Sequence, residues 1–486
     1  MSISNALNNA YTGLVGASRL ADTVANNTAN AMTPGFGRRV TELSSLALGG
    51  YGSGVRVTGT YRTENAFVTA ERRGMTAAVG ASATTAGAYA RVIDALGEPG
   101  EAGALATRAS TLETRLMAAV ASPQSLTQLT DATTSARLLA ESINGVAAEN
   151  QRLRTEADTE IARQVEQVND ALYAVKDVND KITTLQIKGE DVSALQDERD
   201  RLIDGIAGIV PVRVVNRDNG QVALYSANGG AMLDGRVWDL SFQRGPNVVT
   251  PGMVLGAPLS GLTQDQGAAG PTAVAAGTGT GLFDGGSLGA LFGIRDTVVP
   301  GVDAELDRYA AELIDRFRAL APAGSLDAGG RGLFVDPAPG AGVGLAGRIA
   351  VNAAVDPTQG GAVWRLRDGL SATAPGSEGF GTYLQGLADA MSTARAPTGW
   401  ATQNAANDAA TMASEIASFF AGRSASADAA QAYLTARETT LADSEANAIG
   451  VDTDREMQNL ILIEQVFAAN VRVLSTIDDL LKLLLE

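Results

Sequence analysis

The sequence predicts an α+β protein that is mainly a helical rod. Its terminal helices pair as a coiled coil, a long-helix bundle follows, and a β-rich inserted outer domain interrupts the helices. Three observations predict this. Apolar residues recur at heptad spacing at both ends of the 486-residue chain, helical periodicity runs unbroken from Asp131 to Lys188, and glycine-punctuated, strand-like segments break the helices.

The C-terminal seam is the clearest element. Leu460, Ile463, Phe467, Asn470, Leu474, Ile477, Leu481 and Leu484 alternate spacings of three and four. A second row, Leu462, Val466, Ala469, Val473, Thr476, Leu480 and Leu483, runs beside it. So wide an apolar surface demands more than one neighbouring helix. At the other end Ile3, Leu7, Ala10, Leu14, Ala17, Ala21, Val24 and Thr28 repeat the pattern with mostly small residues, which permits close helix approach. Asparagines 26, 27 and 30 compete with the backbone, and Thr33-Pro34-Gly35 forces a turn, so the first helix ends near Asn30. The amides suit hydrogen bonds across a helix seam.

Arg38 to Arg72 reads as an extended linker or hairpin with turns at Gly49-Gly50 and Gly52-Ser53-Gly54, and helices begin at about Thr76. From Asp131 to Lys188, Leu139, Ile143, Val146, Asn150, Leu153, Ala157, Ile161, Val165, Val168, Leu172, Val175, Ile182 and Leu185 share one face of a helix on the order of 80 Å long. Gly189 ends it, and Asp191 can cap a second helix that completes a hairpin. In that helix Gln196 to Arg201 is polar and also fits a solvated face. Strands are expected at Val210–Val215 and Val222–Ser226 around an Asp218-Asn219-Gly220 turn. Val302 to Leu320 is amphipathic. A Gly/Pro-rich, strand-poor stretch runs from Ala321 to about Pro397, and helix resumes from Gln403 to Ala446. These segments give three domains: a terminal coiled-coil polymerisation domain (1–60 and 447–486), a helical bundle (61–207, 286–322 and 398–446) and an inserted outer domain (208–285 and 323–397).

Composition narrows the chemistry. Hydrophobic residues make up 45% of the chain, aromatics only 5%, and glycines number 55, so cores are aliphatic. A net charge of −17, with lysine only at 176, 181, 188 and 482, leaves no basic stripe for nucleic acid or an anionic membrane. Without cysteine or histidine, thiolate and imidazole catalysis and the common metal sites are excluded by residue type. No cofactor is expected. Asn216, Asp218 and Asn219 lack the spacing of a calcium loop. Gly277-Thr278-Gly279-Thr280-Gly281 lacks the lysine of a phosphate loop and has no clear helix after it. No run is expected to span a bilayer. The N-terminus has no cleavable secretory pattern, which fits a cytoplasmic protein or export by another route.

The run from Asn26 to Asn30 and on through Thr33-Pro34-Gly35-Phe36 resembles the N-terminal signature of the flagellar rod, hook and hook-associated axial proteins. Asp454 to Leu460 and Glu464 to Leu474 are similar to that family's closing helix. Met32, Phe36, Glu464, Val466 and Asn470 depart from its commoner residues. Leu195 to Asp204 and Gly286 to Leu291, leading to Arg295-Asp296, resemble internal segments of the branch that joins hook to filament. The resemblance implies a structural subunit of the bacterial flagellum, secreted without a cleaved signal, that adapts hook to filament through its terminal helices. Its implied partners are itself, the hook protein and the next junction protein, with an export chaperone. The polymer interface would comprise Leu7, Leu14, Asn26, Asn27, Asn30, Pro34, Gly35 and Phe36 with Leu460, Ile463, Phe467, Asn470, Leu474, Ile477, Leu481 and Leu484. Other readings are another axial protein of the family, a secreted surface-binding protein, or a secreted enzyme built on Asp336 and Asp356.

Overall fold

The computed structural model describes every residue except 1, 2, 49, 50, 99, 268, 269, 275, 320, 321, 323, 341, 397, 398, 404 and 486, and the side chains of 48, 51, 484 and 485 also lie outside the description. The expected Gly49-Gly50 turn, the Leu484 side chain and the domain ends at 323, 397 and 398 therefore lie outside the described residues.

Helix α1 (Ile3–Ala29) leads into the antiparallel hairpin β1 (Arg39–Leu48) and β2 (Tyr51–Arg62), then α2 (Ala66–Leu96), α3 (Leu105–Ala121), α4 (Leu126–Ile187) and α5 (Ser193–Ala207). Short strands follow: β3 (Val212–Asn216), β4 (Val222–Ser226), β5 (Ala231–Asp234), β6 (Arg236–Val237), β7 (Leu240–Ser241), β8 (Val254–Leu255), β9 (Pro258–Leu259), β10 (Leu262–Asp265) and β11 (Pro271–Val274). Then come α6 (Ser287–Gly293), a π turn at Ile294–Val298, α7 (Val299–Ala319), β12 (Phe334–Val335), β13 (Ala350–Val351), α8 (Arg365–Asp368), α9 (Thr382–Ser392), α10 (Ala409–Ile449) and α11 (Thr453–Leu485). The molecule is mostly helical, with small sheets ordered β3-β4-β5-β6 and β11-β10-β7 and the pairs β1-β2, β8-β9 and β12-β13.

Helix begins at Ala66, ten residues before the expected Thr76, because the Asn65 carboxamide accepts from the Val68 N–H at 3.3 Å and caps the first turn. The stretch after residue 321 was expected to be β-rich or loop-rich, yet it contains the eleven-residue α9. One stretch within Ala409–Leu483 is long and apolar enough to cross a bilayer, which no run was expected to be. It passes because α11 is apolar on more than one face, as a helix needing several neighbours must be.

The chain forms two compact units. The first contains Met1–Val79, Gln167–Asp239 and Leu434–Glu486; the second contains Gly80–Glu166 and Leu240–Tyr433. This division differs from the three expected segments, since the β3 to β6 sheet belongs with the terminal helices. Asn179 of α4 donates to the Val222 carbonyl at 2.9 Å and Arg199 of α5 donates to the Gly220 carbonyl at 2.6 Å, tying the sheet to both helices.

In the second unit Leu139, Ile143 and Ile161 of α4 and Val302, Leu306, Tyr309, Leu313 and Phe317 of α7 are buried. Three buried arginines organise the loops around them. Arg154 donates to the carbonyls of Arg295, Thr250 and Met253, and Arg295 pairs with Asp158 at 2.7 Å. Arg316 donates to carbonyls of Ala390, Thr393 and Asn407. Each carries a charge into the interior that only several acceptors can offset. The Gly277 to Gly281 loop also closes on its own chain. Asp284 accepts from the N–H groups of Gly277 and Gly281, the donors that a phosphate would need.

Candidate assembly interface

Within the first unit α1 lies against α11 and against the hairpin β1-β2. The close approach follows from small residues: Ala10, Gly16 and Ala17 are buried. At Gly13 a Cβ would lie 2.8 Å from both Nδ2 and Oδ1 of Asn470, so only glycine fits with that amide in place. Polar contacts fix the hairpin along α1. Asn8 donates to the Ser53 carbonyl at 3.0 Å, Thr12 accepts from the Val55 N–H at 3.2 Å, and the hydroxyls of Thr23, Thr41 and Thr60 form a chain. Between α1, the hairpin and α11 an apolar groove of about 490 Å³ is lined by residues including Ala17, Leu20, Leu43, Leu462, Ile463 and Val466.

The end of α1 is held by Asn27, which is 1% exposed. Its amide donates to the Arg39 carbonyl and accepts from the Arg39 N–H, both at 2.9 Å, a two-bond clasp that fixes where β1 starts. Gly35 has φ +76°, and a Cβ there would strike the Arg201 side chain, so the Thr33-Pro34-Gly35 turn requires glycine twice over. Phe36 sits under the Arg39 guanidinium, 4.1 Å from ring centroid to carbon.

The turn is anchored to α5. Asp197 accepts from the Gly37 N–H at 3.1 Å and from Arg39 at 2.6 Å, and Arg62 Nε lies 2.8 Å from it without aligning for a hydrogen bond. Asp200 pairs with Arg62 at 2.5 Å and Arg73 at 2.9 Å; Asp204 pairs with Arg73 at 2.6 Å and Arg72 at 2.9 Å; Arg72 also pairs with Glu445 of α10. Burial opposes ionisation of Asp200, but the Arg73 and Arg62 guanidiniums outweigh it and hold the carboxyl below its usual range. Arg62 and Arg72 are correspondingly held more firmly protonated despite their own burial. Asp197, Asp200 and Asp204 stand at spacings of three and four, which puts them on one helix face. Asp197 and Arg199 are buried whereas Glu198 and Arg201 are exposed, so the solvated-face reading fits only part of this run, and the acids clamp the chain that follows α1. A second clamp reaches α11, where the buried Glu456 pairs with Arg38 at 2.7 Å.

The expected interface residues divide by exposure. Asn27 and Ile477 are buried; Leu14, Asn30, Phe36, Leu460, Ile463, Asn470 and Leu474 are half-buried; Leu7, Asn26, Pro34, Gly35, Phe467 and Leu481 are exposed. The second row of α11 is open: Leu462, Val466, Val473, Leu480 and Leu483 are 43–70% exposed. Met32 in the turn is 94% exposed. The arginine and aspartate clamp was not foreseen, although the acid spacing on α5 signalled it.

Asp336 and Asp356, the pair considered for catalysis, have other work. Asp336 holds Arg348 at 2.9 Å, and Asp356 caps a short turn through Thr358 at 2.9 Å. Burial alone would raise both carboxyls, but hydrogen bonds from Arg348 to the first and from Gln359 and Thr358 to the second bring them below their usual range, the wrong direction for a general acid.

Residues 447–486 match the model of the flagellar basal body rod FlgEFG protein C-terminal region. Flagellar hook-associated protein 1 of Escherichia coli (strain K12) is 29% identical over 249 residues, covering 48% of this chain and 44% of that protein; its counterpart in Bacillus subtilis (strain 168) is 24% identical, covering 94% and 93%. The chain thus matches less than half the length of the Escherichia coli relative. The flagellar hook junction protein FlgK of Burkholderia pseudomallei aligns over 55% of this chain and 47% of its own, at 19% identity and a TM-score of 0.46. Residues 90–334, just over half of the chain, match the model of the flagellar hook-associated protein FlgK helical domain, and the chain belongs to that family.

Proposed function

We propose that this chain is a structural subunit of the bacterial flagellum, an adaptor at the hook–filament junction that assembles through its terminal helices. The observation that carries the reading is the apolar row on α11, Leu462, Val466, Val473, Leu480 and Leu483, which remains open after α1 has packed against the same helix. An exposed strip of this kind costs free energy in water and is relieved by further helices, here those of neighbouring copies and of other axial proteins such as the hook protein and the next junction protein. On this reading residues 1–60 and 447–486 polymerise as a coiled coil, the bundle forms the next shell, and the glycine-rich segments face outward. Export through the flagellar secretion route, assisted by a chaperone, completes the proposal. Deleting Leu474 to Glu486 tests it. The truncated protein stays soluble and folded and fails to enter flagella, as judged by motility and by filament attachment in a strain lacking the native subunit; incorporation like the full chain would overturn the reading.

A further inference from the structure

The first unit also contains a small cavity of about 160 Å³, bounded by the first turns of α2, by α5 and by β3. Four arginines line it, in a chain whose net charge is −17. Two of them, Arg62 and Arg73, are neutralised by the α5 acids. The other two are not. Among the described residues Arg199 and Arg213 make no ion pair with a carboxylate, and the Nε of Arg199 has no hydrogen-bond partner. Arg199 is 7% exposed, so this donor sits out of water, and its two NH1 contacts, the Asn179 amide oxygen at 3.2 Å and the Gly220 carbonyl at 2.6 Å, are both uncharged. Burial disfavours the Arg199 guanidinium, and Asp200 and Glu64 act on it only through space, so an anion meeting the unpartnered Nε would stabilise it.

The wall opposite adds to the potential. Asn65 and Ala66, where the 31-residue α2 begins, line the cavity, so the positive end of the helix dipole lies at the same place. Glu64 is the one lining acid outside the α5 ladder, and it is half-exposed, 3.5 Å from Arg62. We propose that this cavity is a binding site for a small oxyanion of the phosphate class, held by Arg199 and Arg213 at the N-terminus of α2. The bound ion would join three elements, α2, α5 and β3, and thereby stiffen the region in which the turn after α1 is anchored. A carboxylate shares the chemistry, so the test distinguishes the two.

Equilibrium dialysis of the full chain with labelled inorganic phosphate, against sodium chloride at matched ionic strength, reads the site directly. Saturable binding of one phosphate per chain is expected. Arg213→Gln removes an exposed side chain and leaves the fold intact; it weakens binding at least about tenfold, the effect of losing one charge-assisted contact. Arg199→Gln abolishes binding, and Arg199→Lys restores part of it. Competition by acetate as effective as that by unlabelled phosphate would assign the pocket to a carboxylate and overturn the phosphate class. Absence of binding above the chloride baseline, or an Arg213→Gln protein that binds like the wild type, would overturn the site itself.

Discussion

Gly13 of α1 lies directly beneath the side chain of Asn470 on α11, so close that a Cβ would stand 2.8 Å from both terminal atoms of the amide. The amide is also tethered to its own helix, donating to the Val466 carbonyl at 3.0 Å. Alanine in place of glycine favours helix by about 1 kcal/mol, while swinging the amide end aside forfeits its hydrogen bond, about 0.5–1.5 kcal/mol. Gly13→Ala is therefore expected to change the pairing little in the wild type and to tighten it in an Asn470→Ala background. Amide exchange along α1 in the four proteins of this cycle measures the difference; equal effects in both backgrounds would show that the two residues do not interact.

Asp197 and Arg39 join stretches 158 residues apart through a contact of 2.6 Å between side chains that are each only 9% exposed. Removing one partner of a buried pair leaves the other uncompensated, at a cost of about 3–5 kcal/mol. Asp197→Asn is expected to lower the urea midpoint of the first unit strongly. Arg39→Met combined with Asp197→Leu should cost less than either single change, because no charge is then stranded. Additive losses would contradict the pairing.

Acid should weaken the same clamp through Asp200. Its folded pKa is depressed, so its contribution is complete above the unfolded value of about 3.9 and disappears as pH falls through the lower folded value. Unfolding followed from pH 7 to pH 2 should show wild type losing stability below about pH 4, and Asp200→Asn losing correspondingly less over that interval.

In the second unit the sign reverses. Asp303 is pushed up to about 6, first by burial, against the opposing hydrogen bond from Asn150 at 2.6 Å. Its Oδ2 and the Asn150 Oδ1 both lack hydrogen-bond partners among the described residues. A carboxyl with a raised folded pKa binds its proton more tightly when folded, so its ionisation destabilises the unit as pH rises from about 4 to about 6. Asp303→Asn should therefore stabilise by about 1–2 kcal/mol at pH 7.5, with the advantage fading toward pH 4. A gain that is independent of pH would exclude ionisation as the cause.

Periodicity made α4 legible, because burial of one helix face is written locally. Leu139, Ile143, Ile161, Val168, Leu172 and Ile182 were placed on a shared face and all are buried, whereas Leu185, near the last turn, is half-buried. The strands on either side of Asp218-Asn219-Gly220 could be read for the same reason. The clamp could not be read as fully. The spacing of Asp197, Asp200 and Asp204 fixes the face they occupy, but a single sequence does not say that Arg39, Arg62 and Arg73 will meet that face. The start of α2 was missed because Asn65 caps a first turn whose Phe67 is 70% exposed, so hydrophobic periodicity was weak there. Burial across the terminal seams was uneven for a related reason: α1 covers only part of α11, while the heptad pattern records every face that needs covering.

That uncovered part gives the sharpest test of assembly. Val473 and Leu480 are seven residues apart on the second row of α11 and are 43% and 47% exposed. Glutamate at either position removes little that is buried within the single chain, so folding stability should change by no more than about 0.5 kcal/mol. In a polymer the same side chains would enter a helix seam, where each contributes about 1.5–3 kcal/mol by burial and where a carboxylate would be stranded without a partner. Val473→Glu and Leu480→Glu are therefore expected to leave circular dichroism and thermal unfolding of the monomer unchanged and to block incorporation into flagella. Asp478→Asn, which breaks only the exposed pair with Lys482, should assemble normally. Normal assembly by both glutamate variants would mean that this row faces solvent in the assembled structure, and the interface would then have to be sought on another face of the terminal helices.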